Sequence, residues 1–286
     1  MKKRTVALII AIVSVLILIG TILVFARYPR IPFILSEYFD LPDRDVKLEE
    51  ISPSYTGYTL AELDALENVS FTKTCLLINS HYLLSEGFEP DLVEYNGAVM
   101  SSEILDSYQT LSQDIQNRFD TPLYVISSYR TKEEQEEIVG THDSDVAAGV
   151  GASEHQSGLA LDVYVKGYSG KALIDSEAGQ YLNTDCWRHG FIIRYPVGKK
   201  KITGIIYEPW HIRYIGIPHA EIISKRELTA EEYLDKLTPN SFFSFGDYVI
   251  SRQSVSSEQL MIPNGAKSIV ISEDNTGFYL ITAKMQ

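Results

Sequence analysis

GASEHQSGLALD, residues Gly151–Asp162, places one imidazole, His155, seven residues before one carboxylate, Asp162. From Gly158 to Val165, apolar residues alternate, which predicts a strand with a leucine-valine row on one face and Asp162 on the other. Burial of a carboxylate in an apolar strand is unfavourable unless the group is paired or binds a metal ion. The stretch therefore predicts a strand that carries Asp162 into a site, with His155 in the approach to it.

A second stretch, YEPWHIRY at Tyr207–Tyr214, offers another carboxylate and another imidazole, Glu208 and His211. Two histidines and one carboxylate are enough to hold Zn²⁺ with one coordination position left for water, and the remaining carboxylate can act as the base for that water. The one-helix zinc signature H-E-x-x-H is absent from the sequence. We therefore predict a zinc site that is assembled from two separate segments.

The remaining histidines have no carboxylate in a comparable context. We interpret them as structural or surface residues: His81, His142, His189 and His219.

Helices and short strands are expected around the predicted site. Ser102–Phe119 has an apolar stripe at helical spacing, and Leu123–Ser127 is typical of a buried strand. Thr131–Val139 begins with the spacing of a capping box and predicts a helix. Arg130 thus lies at a strand-to-helix junction, where two interpretations stay open, a functional group or a salt-bridge partner.

Shorter patterns predict the remaining elements. We expect strands at Cys75–Ile78, Phe191–Tyr195 and Ile202–Tyr207, helices at Ser176–His189, Ala220–Ser224 and Ala230–Leu237, and a loop at Thr141–Ala152. Beyond Pro239, β-type runs are expected at Asp247–Ser251, Ser268–Ser272 and Phe278–Thr282, with the last two forming a hairpin.

The N-terminal end has the features of a membrane segment. Three basic residues precede an uncharged run of 22 residues from Thr5 to Ala26, and such a helix would span about 33 Å, enough for the hydrocarbon core of a bilayer. The apolar region of a cleaved signal peptide is usually only about 7–15 residues long, and no convincing cleavage site follows this run. We therefore favour an uncleaved anchor over a signal peptide, with the basic N-terminus in the cytoplasm and the rest outside the cell.

The charge of the chain argues against one class of partner. The formal net charge is −13, and the first thirty residues carry five basic groups and no acid, so the remainder carries −18. A nucleic-acid partner is therefore not expected.

The two cysteines, Cys75 and Cys186, leave two interpretations open. A disulfide is permitted outside the cell, and two buried apolar thiols are equally compatible with the sequence. Neither belongs to a C-x-x-C pair, so zinc binding through cysteine is not indicated.

Composition divides the chain into four predicted parts. Residues 1–27 form the anchor. Residues 28–70, which are interrupted by prolines and rich in acidic groups, are expected to form an extracellular stalk. Residues 71–238 form the globular domain, and residues 239–286 a small β-rich C-terminal extension without a catalytic pattern.

Four segments resemble, in the same order, the motifs of the VanY-type D-alanyl-D-alanine carboxypeptidases, which are zinc peptidases that trim peptidoglycan stem peptides. The segments are SSYRTKEEQ, SEHQSGLALDV, FIIRYPVGKKKITG and YEPWHIRYIG. The resemblance runs from about Cys75 to Leu237. It departs from the family at Val150-Gly151, where Pro-Gly is usual, and it does not include the tail after Pro239.

The resemblance implies a fold and a set of roles. The fold is an α+β domain with a small antiparallel sheet flanked by helices. The implied roles are zinc binding by His155, Asp162 and His211, general base catalysis by Glu208, stabilisation of the polarised carbonyl by Arg130, and substrate contacts by Ser153 and Gln135.

The function expected from these residues is a membrane-anchored zinc carboxypeptidase that removes the C-terminal D-alanine from stem peptides, with its domain outside the cell. Two alternatives stay open. One is an L,D-carboxypeptidase that acts on tetrapeptide stems, and the other is a non-catalytic wall-binding zinc protein. The presence of Glu208 argues against the second, because a purely structural zinc site has no need for a base. Because the motifs end before Pro239, deletion of Pro239–Gln286 is expected to leave the chemistry in place, provided that the truncated domain stays folded.

Overall fold

The computed structural model describes residues 2–39, 41–43, 45–140 and 148–285 of the 286-residue chain. The α-helices are α1 Lys2–Arg27, α2 Arg30–Phe39, α3 Leu60–Asp64, α4 Leu105–Phe119, α5 Lys132–Val139, α6 Glu177–Asp185, α7 Lys200–Thr203, α8 His219–Lys225 and α9 Ala230–Lys236. The strands are β1 Glu49–Ile51, β2 Tyr55–Tyr58, β3 Val69–Thr72, β4 Leu92–Tyr95, β5 Ala98–Ser101, β6 Tyr124–Ser127, β7 Ala160–Tyr164, β8 Phe191–Ile193, β9 His211–Tyr214, β10 Phe242–Phe245, β11 Tyr248–Ser254, β12 Leu260–Pro263, β13 Ser268–Glu273 and β14 Phe278–Lys284.

A four-stranded sheet carries the predicted site. Its strand order is β6-β7-β9-β8, and all of its pairings are antiparallel. One face packs on α4 and α6 through a buried cluster that includes Leu161, Val163 and Ile212. The small antiparallel sheet flanked by helices is therefore confirmed, and so is the predicted alternation of β7.

Helix α4 illustrates how local sequence forms this layer. A 3₁₀ turn at Ser102–Ile104 leads into α4, and Ser101 caps that turn by accepting a hydrogen bond from the backbone N–H of Glu103. Tyr108, Leu111 and Ile115 form the buried stripe of the helix. Helical spacing aligns these residues on one face, and that face covers the sheet.

A second, six-stranded sheet combines strands that precede the four-stranded sheet in the chain with strands that follow it. Its order is β1-β10-β11-β14-β13-β3, with β3 parallel to β13, and β2 pairs with β12 in a separate two-stranded ladder. The predicted hairpin of β13 and β14 is present. Residues 49–70, which belong to the predicted stalk 28–70, thus contribute β1, β2, the start of β3 and the short helix α3 to folded structure. Their strands are three or four residues long and pair with residues about 200 positions later, so no local periodicity marks them.

The C-terminal strands are packed against the rest of the protein. Ile250 and Leu280 belong to one buried cluster with Ile222 of α8 and with Tyr233 of α9. Buried His219 bridges the same parts, because its Nδ1 lies 2.7 Å from the Tyr233 hydroxyl and its Nε2 lies 2.8 Å from the Thr282 hydroxyl. Removal of residues 239–286 would expose this apolar surface and destabilise the truncated domain. The expectation that the tail is dispensable for the chemistry of a folded truncation stays a prediction.

Three predicted strands are different in the structure. Leu123–Ser127 was predicted to be buried, but β6 is an edge strand, and its Tyr124 and Ile126 are exposed. Cys75–Ile78 is buried but irregular. Ile202–Tyr207 is not a strand, because Lys200–Thr203 forms the short helix α7, which ends at Gly204 with a φ of 80°. The loop predicted at Thr141–Ala152 is only partly testable, since residues 141–147, including His142, lie outside the described residues.

The cysteines and the N-terminal segment are also defined. Cys75 and Cys186 are free, buried thiols, so the disulfide interpretation is wrong. Helix α1 contains an apolar stretch, Val6–Arg27, that is long and apolar enough to cross a membrane.

Candidate active site

The pairing of β7 with β9 brings the two predicted segments together. Asp162 lies directly opposite His211 in this ladder, and opposite residues of an antiparallel pair extend from the same face. On the other side of β7, Asp162 pairs with Ser127 of β6. The site therefore lies on the sheet face that α4 and α6 leave uncovered.

His155 reaches the same place from a 3₁₀ turn, Glu154–Ser157, that precedes β7. The chain leaves this turn through Gly158, whose φ is 71°. A Cβ at this position would lie 2.8 Å from the backbone nitrogen of Ser101, so only glycine allows the close approach. This turn places the His155 imidazole edge-on against the His211 ring, with 5.0 Å between the ring centroids.

His155, Asp162 and His211 have the spacing of a metal site. Asp162 Oδ2 lies 3.5 Å from His155 Nε2, and Asp162 Oδ1 lies 2.9 Å from His211 Nδ1. One donor atom from each of the three residues lies within 4.8 Å of the others. Ligands about 2.0–2.2 Å from a tetrahedral zinc ion are separated by roughly 3.4 Å, so the three residues fit such an ion.

The remaining ring nitrogens of both histidines are directed at oxygen atoms. His155 Nδ1 lies 2.9 Å from the carbonyl oxygen of Ser128, so a proton on Nδ1 is donated there and Nε2 is left for a metal. His211 Nε2 lies 3.5 Å from Glu154 Oε2, which leaves Nδ1 for the metal. Metal-ligating histidines usually donate their other N–H group to such an oxygen, so both rings satisfy the requirement for an oriented ligand.

The protonation states follow from burial and charge. Burial raises the pKa of Asp162, but attraction to the two histidines and a hydrogen bond from His211 outweigh it and lower that pKa below its usual value. Burial lowers the pKa of His155, which favours the neutral imidazole that ligates metals. Burial also lowers the pKa of His211, but its hydrogen bond with Asp162 and the nearby Glu154 carboxylate outweigh burial and raise the pKa to about 10.

Glu208 lies beside these three residues and is not one of them. Its Oε2 is 3.9 Å from His211 Nδ1. The three residues line a cavity of about 210 Å³, and Glu208 lines it with them. A turn in which the His211 backbone N–H donates to the Glu208 carbonyl brings the two residues together. Burial raises the pKa of Glu208 to about 7, a value suited to a group that accepts and returns a proton near neutral pH.

Arg130 also lines the cavity, and its guanidinium is held from two sides. Nη1 donates to Gln135 Oε1 at 2.7 Å, and Nη2 donates to Ser127 Oγ at 2.9 Å. The Gln135 amide donates in turn to the carbonyl oxygen of Ala148 at 2.6 Å. Gln135 is fully buried and does not line the cavity. Its side chain therefore contacts Arg130 and the carbonyl oxygen of Ala148.

The other predicted substrate contact, Ser153, lines the cavity beside His155. Three of the four histidines that we interpreted as structural or surface residues lie elsewhere, and His142 lies outside the described residues. His189 contacts Asp114, His219 is enclosed by Tyr233 and Thr282, and His81 is exposed.

Sequence reasoning missed Glu154. It is buried next to His155, and its partners Arg194 and Arg213 lie 40 and 59 positions later. A charged residue in the hydrophilic run S-E-H-Q-S gives no local sign of such burial. The only available signal was its position beside a predicted ligand.

The metal-site assignment predicts the effect of removing each ligand. His155→Ala, Asp162→Ala and His211→Ala should each remove most of the bound zinc, because two ligands hold the ion far less tightly than three. His81→Ala, which changes an exposed histidine, should bind one zinc per chain like the parent protein. The measurement is metal content after dialysis against zinc at a fixed free concentration. Full zinc content in the three ligand variants would place the metal elsewhere.

Comparison with known protein families gives one family match within the chain. Residues 97–217 match the model of the VanY family, described as D-alanyl-D-alanine carboxypeptidase. This range contains the three residues of the candidate metal site, and also Glu208 and Arg130, which line the cavity beside them.

Two curated relatives come from enterococci. A D-alanyl-D-alanine carboxypeptidase of Enterococcus faecium is 33% identical over 204 residues, which is 66% of this chain and 66% of that protein. The bifunctional D-Ala-D-Ala dipeptidase and D-Ala-D-Ala carboxypeptidase VanXYC of Enterococcus gallinarum is 33% identical over 182 residues, which is 57% of this chain and 95% of that protein.

Two solved structures share the fold. One is a variant of the vancomycin-resistance D,D-pentapeptidase VanY in complex with Zn(II), which has a TM-score of 0.50, 32% identity, and coverage of 56% of this chain and 98% of that chain. The other is the LdcB LD-carboxypeptidase, which has a TM-score of 0.53, 29% identity, and coverage of 60% of this chain and 92% of that chain. The chain belongs to the VanY family of D-alanyl-D-alanine carboxypeptidases.

Proposed function

We propose that this protein is a membrane-anchored, zinc-dependent carboxypeptidase that removes the C-terminal D-alanine from peptidoglycan stem peptides. The observation that carries the proposal is the convergence of His155, Asp162 and His211 on one cavity that Glu208 and Arg130 also line. The printed activities of the enterococcal relatives support the choice of D-alanyl-D-alanine as the bond class.

The proposed metal ligands are His155, Asp162 and His211, and zinc held there would supply a Lewis acid and an acidified water. Glu208 takes one proton from the attacking water while the water oxygen forms its bond to the scissile carbonyl carbon. Glu208 then delivers that proton to the leaving amine of D-alanine as the C–N bond breaks. Its buried position beside His211 and its pKa of about 7 suit both transfers.

Arg130 supplies positive charge where negative charge develops on the carbonyl oxygen during attack. Its guanidinium is fixed by Ser127 and Gln135, so it needs no reorientation at the moment of reaction. We propose that Gln135 acts on substrate through Arg130, and that Ser153, at the wall of the cavity, is the direct polar contact. The small cavity also presents Ile205 and Trp210, which suit the methyl group of an alanine residue.

A second candidate function is removal of D-alanine from tetrapeptide stems. The observation in its favour is the likeness to the LdcB LD-carboxypeptidase, whose coverage and TM-score are comparable with those of the VanY structure. The two activities differ in the configuration of the residue before the scissile bond. Parallel assays on stem pentapeptide and stem tetrapeptide separate them, and the proposal expects faster release of D-alanine from the pentapeptide.

The base assignment is tested by Glu208→Gln, which keeps the size of the side chain but cannot accept the proton. We expect near-parental zinc content and folding, with turnover of the pentapeptide lowered about 10²–10⁴-fold, the usual contribution of a general base. Glu133→Gln, an exposed change on α5, serves as the matched control and should keep parental turnover. Metal content and D-alanine release are measured on the same preparations. Loss of zinc in Glu208→Gln would make Glu208 a ligand, and full activity would place the base elsewhere.

The proposed location is the cell membrane, with one crossing and the catalytic domain outside. Its support is the apolar span Val6–Arg27 behind three basic residues. A signal sequence near the N-terminus shares these properties, so the two are separated by experiment. We expect the full-length mass in the membrane fraction, and digestion of the domain by protease added to intact cells. A shortened protein that begins near Arg27 in the medium would contradict the anchor.

A further inference from the structure

A buried charge cluster lies behind His211, and of its three members Glu154 borders the cavity while Arg194 and Arg213 do not. Glu154, Arg194 and Arg213 are 1%, 0% and 2% exposed, although charged side chains are rarely buried so fully. Arg213 lies in β9, and Arg194 directly follows β8. Arg213 lies opposite Ala160 in the β7–β9 ladder, and the backbone N–H of Arg194 donates to the carbonyl oxygen of His211. The small side chain of Ala160 leaves the space that the Arg213 guanidinium enters.

The two oxygens of Glu154 have different partners. Oε1 accepts from Arg194 Nε at 2.8 Å and from Arg213 Nη1 at 2.7 Å. Oε2 has no hydrogen-bond partner among the residues that the structure describes, and the same holds for His211 Nε2. These two atoms lie 3.5 Å apart, so a proton on His211 Nε2 is directed at Glu154 Oε2. A buried polar atom without a hydrogen bond is unfavourable, and a hydrogen bond between these two atoms would satisfy both of them.

The arginines are themselves fixed to distant parts of the chain. Arg194 donates to both carboxylate oxygens of Glu231 in α9, at 3.0 and 2.6 Å. Arg213 donates to the carbonyl oxygens of Thr74 and Leu76, at 3.0 and 2.8 Å. Because two fixed guanidinium groups hold Oε1, the Glu154 carboxylate cannot rotate freely, and Oε2 stays directed at the His211 ring.

We propose that Glu154 is a positioning residue for the metal site, held by Arg194 and Arg213 so that its Oε2 accepts the His211 Nε2 proton and keeps His211 Nδ1 directed at the metal. This inference rests on the proposed zinc function, and it assigns a role outside the residues of that proposal. It also links the geometry of the site to residues 74–76, through Arg213.

The test compares Glu154→Gln with Glu231→Gln. Glutamine at 154 keeps the volume but replaces one oxygen with an N–H donor, so it cannot both accept from the arginines and accept from His211. Glutamine at 231 removes the other buried carboxylate partner of Arg194 and leaves the Glu154–His211 contact in place. Both changes should lower the thermal stability of the metal-free protein.

Zinc affinity, measured by chelator competition on full-length protein, separates the two variants. We expect Glu154→Gln to bind zinc about 10–100-fold more weakly, the usual effect of losing the carboxylate behind a ligating histidine. Glu231→Gln should stay within about 3-fold of the parent, by the same reasoning. Parental affinity in Glu154→Gln, or equal losses in the two variants, would overturn the proposal. Zinc affinity does not require turnover, so absence of carboxypeptidase activity with an intact affinity difference would count against the proposed function alone.

A second measurement covers the case in which Glu154→Gln does not fold. In zinc-loaded parental protein labelled with ¹⁵N-histidine, His211 Nε2 should carry a proton that exchanges slowly with water and resonates downfield. That proton signals a buried hydrogen bond to a carboxylate. A His211 ring with a rapidly exchanging Nε2 proton, or with none, would overturn the proposal.

Discussion

The cross-strand pair of Asp162 with His211 is the contact on which the rest of the site depends. Side chains alternate between the two faces of a strand, so a register slip of one residue between β7 and β9 would move one of the two to the opposite face. The register is fixed by the buried face of the same strands, where Leu161 lies opposite Ile212 in the core under α4 and α6. Packing of ordinary apolar residues therefore determines where the chemistry lies.

Hydrogen bonds and close contacts from the surrounding residues then orient the side chains of the site. The carbonyl of Ser128 fixes His155, Gln135 and Ser127 fix Arg130, and Glu154 faces His211. These groups come from β6, from α5 and from the turn before β7, so the site is held from several elements. Because Arg213 contacts the carbonyls of Thr74 and Leu76, the support extends to the N-terminal segment that joins the six-stranded sheet.

Prediction from sequence succeeded where the physical cause was local. The alternation around Asp162 gave β7, and the stripe of Ser102–Phe119 gave the helical layer. The family motifs named His155, Asp162 and His211, which the structure brings together, and their roles as ligands stay a prediction. It failed where the cause was distant in the chain. The strands that begin within residues 49–70, part of the predicted stalk, pair with residues about 200 positions away. Glu154 shows the same limit within the site, because its burial is compensated only by Arg194 and Arg213.

The central claim is that His155, Asp162 and His211 hold one zinc ion with Glu208 beside it and unbound. Diffraction from zinc-loaded crystals at the zinc absorption edge tests this most directly. The account predicts one anomalous peak about 2.0–2.2 Å from His155 Nε2, His211 Nδ1 and an Asp162 oxygen, with both Glu208 oxygens beyond bonding distance. A peak at any other place, or one with Glu208 in the position of Asp162, would contradict it.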